Sequence, residues 1–262
     1  MDTIARDLAK YPLLVLDGAF GTELARRGFD TNDELWSAKA LFEKPELVEA
    51  VHRDYYEAGA DISTSASYQA TVEGFEKKGF TREQAKELIV RSVRLVQQAR
   101  DAFWQQKEKR VGRPQPLAAA SVGPYGAYLA DGSEYRGDYG ASRAELADFH
   151  AERLAILISA GPDILACETL PLLDEARAIL DDLRRYPDAG AGSRSRAKMP
   201  STPVVAMPSP TARACSTRRA RSRPSASTAR RRSTWPTSSA TSAPIRQSPS
   251  SSTRTRARRT TP

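Results

Sequence analysis

Three places in this chain put chemistry-bearing side chains where an apolar run gives way to a turn. Asp17 follows Leu13-Leu14-Val15-Leu16, Tyr68-Gln69 follow Ala60-Asp61-Ile62-Ser63-Thr64-Ser65-Ala66-Ser67, and Glu168 lies near the end of Asp163-Ile164-Leu165-Ala166-Cys167-Glu168-Thr169. Carboxylates at the ends of buried strands cost desolvation energy unless they are paired or put to use. In α/β folds the carboxyl ends of strands are where ligands and catalytic groups gather. Each carboxylate also has a plainer reading. Asp17 could cap the helix that follows it, and Glu168 could be a structural carboxylate bonded to backbone N–H groups. Cys167 alternates with Glu168 and so points the other way, as a buried small hydrophobe. His52 and His150 fall within helical patterns, where a role on the helix face is the better reading.

These residues need a scaffold, and the periodicity supplies one. Leu13 to Leu16 reads as a strand buried on both faces. Gly18 and Gly21 permit a tight turn, and Glu23–Arg27 reads as a short helix closed by Gly28. Pro45 to Gly59 is helical, with Pro at an early position and Leu47, Val48, Val51 and Tyr55 as its apolar residues. Ala60–Tyr68 is expected as a second strand and Pro116–Val122 as a third, with Asp163–Thr169 the fourth. Thr81 with Gln84, and Ser142 with Glu145, are capping boxes that open two long amphipathic helices. A further helix spans Leu173–Tyr186. Four strands alternating with helices mean βα units and a parallel sheet.

The composition divides at Ala191-Gly192. The 262 residues carry a formal charge of +8, but this averages two unlike segments. Residues 192–262 hold fifteen Arg and one Lys against no acidic residue, so they carry +16, while 1–191 carry −8. The same tail has sixteen Ser, eleven Thr and nine Pro, shows neither helical nor strand periodicity, and is expected to be disordered. The charged N-terminus lacks a leader-like apolar core, and no run is apolar enough to span a bilayer. With only Cys167 and Cys215 there is no disulfide framework, so a cytoplasmic setting is expected.

Residues 1–191 resemble the homocysteine S-methyltransferases. The resemblance is carried by Leu16-Asp17-Gly18-Ala19-Phe20-Gly21-Thr22-Glu23-Leu24, by Leu35-Trp36-Ser37-Ala38-Lys39, and by Val51-His52-Arg53-Asp54-Tyr55-Tyr56-Glu57-Ala58-Gly59-Ala60-Asp61-Ile62. Ser67-Tyr68-Gln69-Ala70-Thr71, Gly74-Phe75 and Cys167-Glu168-Thr169-Leu170-Pro171 extend it in the same order. It implies a (β/α)₈ barrel of which this chain keeps four βα units. It also implies methyl transfer to the thiol of homocysteine, from S-methylmethionine in the branch most resembled or from S-adenosylmethionine. Homocysteine and a sulfonium donor are then the partners, with no membrane and no specific nucleic acid. Asp17 and Gly18 match the family's first-strand site, and Glu168 matches the carboxylate that receives the substrate's ammonium group. The resemblance further implies zinc held by three cysteines. None of those cysteines is matched here, because Cys215 stands in Arg213-Ala214-Cys215-Ser216 with no Asn before it and no Cys pair. No catalytic residue is identified, and methyl transfer by this chain is expected to be impaired.

The tail itself resembles the remainder of such a gene read out of frame. Joining the last base of each codon to the first two of the next permits Val-Ser-Phe-Ser-Cys-Lys-Asp-Ala-Glu-His from Gly192, with a Trp before it if one T was lost. The same shift over Ser225–Pro236 permits an Asn-Cys pair, and over Gln247–Pro262 an apolar run that reads as a strand. The alternative takes the tail at face value, as an arginine-rich arm binding nucleic acid or other polyanions through Arg230-Arg231-Arg232 and Arg254 to Arg259. Trp235 is its single aromatic residue, which leaves base stacking without support.

Overall fold

The computed structural model describes residues 3–187, 189, 191–194 and 205–207. All of them belong to one compact unit, residues 1–215. The second unit, Ser216–Pro262, lies outside the described residues, as do Cys215 and the arginine clusters.

The described elements are helices alternating with a short-stranded sheet. Helix α1 (Thr3–Leu8) and α2 (Phe20–Arg26) precede α3 (Ala40–Glu43) and α4 (Pro45–Glu57), and strand β1 covers Ile62–Thr64. Then come α5 (Val72–Lys77), α6 (Arg82–Gln105), β2 (Leu117–Val122), α7 (Tyr125–Leu129), α8 (Arg143–Ser159), β3 (Ile164–Glu168) and α9 (Leu173–Leu183). Strands β4 (Ala191–Arg194) and β5 (Val205–Met207) complete the order. The sheet runs β1-β2-β3-β4-β5, parallel from β1 to β4, with β5 antiparallel to β4. Ile62 pairs with Leu117, Ala119 with Ile164, and Leu165 with Ala191. The sheet therefore continues past the composition boundary at Gly192.

Local sequence explains the helices. Both capping boxes form in full, Thr81 with Gln84 at α6 and Ser142 with Glu145 at α8. The buried faces of α4 (Val48, Val51, His52, Tyr56) and α6 (Ala85, Leu88, Ile89, Val93, Val96) lie against each other and the sheet. Every residue of β2, Leu-Ala-Ala-Ala-Ser-Val, is buried, and its small side chains let the flanking layers close in. The opposite face of the sheet forms a second, smaller cluster of Ile4, Ile62, Leu117, Ala119 and Ile164, with Leu14, Leu16 and Ala166 against it.

Two of the expected strands are shorter than the sequence implies. Leu13–Leu16 contributes one parallel bridge, Leu16 to Ile62, rather than a strand buried on both faces. Asp61 and Ile62 donate backbone N–H to the Val15 carbonyl, and the Asp61 carboxylate accepts from Val15 N at 2.9 Å. Leu13 and Val15 remain 61% and 45% exposed, because no described residue lies along the outer edge of this segment. The second strand ends at Thr64 instead of Tyr68. Beyond it Ser65 and Ser67 spend their hydroxyls on the neighbouring strand β2: Ser121 N donates to Ser65 Oγ, and Ser67 Oγ donates to the Ser121 carbonyl.

Carboxylates at the amino ends of the strands act as latches. Asp61 bonds Val15 N and pairs with Arg113, while Asp163 accepts from Ala118 N at 2.7 Å and pairs with Arg100. Those at the carboxyl ends are held differently.

Candidate functional site

Asp17, the end of β1, Gly123 after β2, and Glu168 meet at one end of the parallel sheet. Asp17 does not cap the helix after it: α2 starts after Ala19 with no side-chain cap. Its Oδ2 instead accepts from Thr64 N at 2.8 Å and from Ser63 Oγ at 2.7 Å, and Thr64 Oγ1 donates to Oδ1 at 3.1 Å. No Lys or Arg lies within ion-pair distance of it among the described residues. Burial pushes the Asp17 carboxyl up to about 6, against the pull of those hydrogen bonds, and the charge of Glu168 adds to the rise. Glu168 accepts from Ser121 Oγ at 2.5 Å. Thr169, just after it, holds φ at +57°, a left-handed conformation that is strained for a β-branched residue.

Gly18 and Gly21 are required by close approach, not by turn conformation, since neither has a positive φ. A Cβ on Gly18 would sit 3.0 Å from the Tyr55 hydroxyl, and one on Gly21 would sit 2.4 Å from the Trp36 ring. The turn after Asp17 is thus pressed beneath two aromatic side chains.

Sequence reasoning missed the reach of His52. It is fully buried on the helix face, as expected, but its Nδ1 lies 2.9 Å from Ser63 Oγ. Ser63 gives its proton to Asp17, so the hydroxyl accepts from His52 Nδ1–H and the network fixes that tautomer. Burial holds the imidazole down to about 3, which keeps it neutral, and the ring stacks on Phe20 at 4.8 Å. The spacing of His52 on its helix carried no sign of this contact.

A second buried group lies behind β2 and β3. Glu175 accepts from Tyr125 N at 2.5 Å and from His150 Nε2 at 2.9 Å, and also from the Tyr139 hydroxyl. His150 lies on α8, the helix expected for it, and is buried there, and burial lowers its pKa. Cys167 is buried on the helix side of β3, and burial pushes its thiol up to about 12. It is inert there, in agreement with the sequence reading.

Beside the mouth runs a cleft of about 520 Å³. Phe29, Trp36, Tyr68 and Tyr135 give it aromatic walls, and Asp30, Asp33 and Glu134 give it acidic ones. Tyr68-Gln69 line it, so both residues singled out after the second strand are present, while the acidic rim went unnoticed in the sequence. Among the described residues no group of three or more His, Cys, Asp or Glu could hold a metal ion. The only described cysteine is buried away from the mouth, so the residues described do not fit a three-cysteine zinc site.

Helices alternating with parallel strands that carry carboxylates at their carboxyl ends define an α/β protein built from βα units. The chain belongs to the homocysteine S-methyltransferase family, whose pattern it matches over residues 14–220. It is 54% identical over 191 residues to homocysteine S-methyltransferase YbgG of Bacillus subtilis, covering 73% of this chain and 61% of that one. It is 51% identical over 187 residues to the homocysteine S-methyltransferase of Escherichia coli, covering 70% and 58%. Its structure is similar to that of the metallated form of the homocysteine methyltransferase MmuM from Escherichia coli. The TM-score is 0.66 at 51% identity, over 70% of this chain and 63% of that one. The chain thus spans about three fifths of the length of these relatives. Among the described residues no helix is long and apolar enough to cross a membrane.

Proposed function

We propose that residues 14–187 are the substrate-binding half of a homocysteine S-methyltransferase, and that this chain binds homocysteine and a sulfonium donor while transferring methyl weakly or not at all. Asp17 and Glu168 take the ammonium group of homocysteine, with Gly18 giving the backbone room beside it. The observation that carries this reading is the pair of carboxylates at one mouth, each already holding hydroxyl donors, with burial and then the charge of Glu168 raising the cost of ionising Asp17. A bound ammonium relieves that cost, so the site is built to prefer a cation.

The cleft beside it suits the donor. A sulfonium is a soft cation that gains from aromatic faces, here Trp36, Tyr68 and Tyr135, and from the acidic rim of Asp30, Asp33 and Glu134. S-methylmethionine adds an ammonium of its own for that rim. In the transfer itself the thiolate sulfur forms a bond to the methyl carbon as the carbon–sulfonium bond breaks, leaving a neutral thioether. The thiol must first lose its proton, and free thiols hold theirs at neutral pH. No described side chain is placed to take it, and the sequence's two cysteines cannot build a three-cysteine zinc site. That is the reason for expecting weak turnover.

Titration calorimetry with L-homocysteine tests the assignment. Asp17→Asn and Glu168→Gln each exchange a charged contact for a neutral one, worth about 1.5–3 kcal/mol, or roughly 10- to 100-fold in affinity. Unchanged affinity in both variants would overturn it.

A further inference from the structure

Among the described residues one lysine or arginine is buried, and the site described above makes no use of it. Arg153 sits on α8, which packs behind the sheet, and is 3% exposed. Its guanidinium donates to three backbone carbonyls and to nothing else. Nη1 reaches the Gly123 carbonyl at 2.9 Å, and Nη2 reaches those of Ser67 and Tyr68, each at 2.6 Å. Nε has no hydrogen-bond partner, and no carboxylate lies within ion-pair distance among the described residues. Burial lowers its pKa to about 10, which leaves it charged. An arginine buried without a counter-ion is costly, and an apolar side chain of similar volume would serve packing better. Its three hydrogen bonds are therefore the feature to explain.

Of the residues carrying those carbonyls Tyr68 lines the cleft, and Gly123 lies in the turn between β2 and α7 that leads on to the lining residues Ala130, Gly132, Glu134 and Tyr135. Gly123 lies directly against Tyr68: a Cβ there would stand 2.4 Å from the Tyr68 carbonyl oxygen and 2.8 Å from its ring. Ser67, held through its carbonyl, also donates its hydroxyl to the Ser121 carbonyl, and Ser121 in turn donates to Glu168.

We propose that Arg153 is the positioning residue of the cleft: it ties the turn carrying Tyr68 to the turn at Gly123, and so fixes the aromatic wall against which a sulfonium donor is held. The proposal rests on the donor reading of the cleft given above. Arg153 touches no substrate and acts only through the backbone of its neighbours.

Two measurements test it. In the unaltered protein, hydrogen exchange at Ala70 N–H, which is bonded to the Ser67 carbonyl, and at Tyr125 N–H, which opens α7 directly after the Gly123 turn, should show the two opening together as one unit. Independent opening would overturn the clamp. In Arg153→Lys the donor group remains but cannot span all three carbonyls. Affinity for S-methylmethionine, read by calorimetry, should fall about tenfold, while that for homocysteine changes less than about twofold. Equal losses for both ligands, or no loss, would reduce Arg153 to general support and overturn the proposal. If the unaltered protein bound no S-methylmethionine, the donor reading would fail, and the exchange experiment would still decide whether the clamp exists.

Discussion

Asp17 offers the sharpest test of the mouth, because its ionisation is opposed by the fold that places it. Unfolded, the group titrates at 3.8; folded, burial lifts it to about 6. Below about pH 4 the side chain is protonated in both states and costs the fold nothing. Between those values the folded chain binds more protons than the unfolded one, so stability falls as pH rises, and the decrease due to this group is complete above about 6. At about 1.4 kcal/mol per pH unit, the loss comes to about 3 kcal/mol. Asp17→Asn removes the titration while leaving the network intact. One amide oxygen can still accept from Thr64 N and Ser63 Oγ, and the amide nitrogen can donate to Thr64 Oγ1. Urea unfolding of both proteins at a series of pH values isolates the effect as their difference, since every other group titrates in both. The variant should gain about 3 kcal/mol relative to the parent between about pH 4 and pH 7. A difference independent of pH, or one of opposite sign, would refute the account of this carboxyl as a charge held against its own solvation. The same linkage fixes the direction for ligand. An ammonium bound at Asp17 favours the ionised form, so homocysteine should bind more tightly as pH rises through about 6.

Two further expectations concern the back of the sheet and the tail. Glu175→Gln leaves one of three donors (Tyr125 N, His150 Nε2 or the Tyr139 hydroxyl) facing an amide N–H, and should cost about 1–3 kcal/mol in urea unfolding; an unchanged midpoint would show that these bonds do not hold the turn after β2. We also propose that residues 192–262 are read out of frame. Inserting one T before the Gly192 codon, in a gene that continues past Pro262, should then restore bound zinc and methyl transfer to homocysteine; a repaired protein lacking both would refute the frame reading.

What could be read from the sequence is what depends on neighbours in sequence. Strands expected at Pro116–Val122 and Asp163–Thr169 occur at Leu117–Val122 and Ile164–Glu168, and both capping boxes form where Thr81-Gln84 and Ser142-Glu145 place them. The aliphatic run Leu13–Leu16 misled because hydrophobicity measures a preference for burial, and burial needs a neighbour on each side. The carboxylates were legible for a related reason: an acid that ends an apolar run is conspicuous. Arg153 was not, because it looks like any charged residue on an amphipathic helix. Its partners lie 30, 85 and 86 positions away, and only the packing of α8 brings them within reach. His52, Ser63 and Asp17 were likewise visible singly and unrelated until α4 packed against β1.

Under the proposed reading, the placement of these networks lets a chain that spans about three fifths of its relatives' length keep a binding site. The hydrogen bonds described to the Asp17 carboxylate come from Ser63 and Thr64, and the one described to the Glu168 carboxylate comes from Ser121, while the Glu168 backbone lies opposite Arg194 on β4. The cleft likewise draws every lining residue from 25–135. The contacts described at the Asp17 carboxylate and in the cleft are thus local to residues 17–135. Activation of the thiol is different in kind. It needs several soft ligands converging on one metal, and a tetrahedral site cannot be half made. Under the proposed reading, binding should survive in this chain with graded losses while methyl transfer is weak or absent, which is why affinity and turnover must be measured separately.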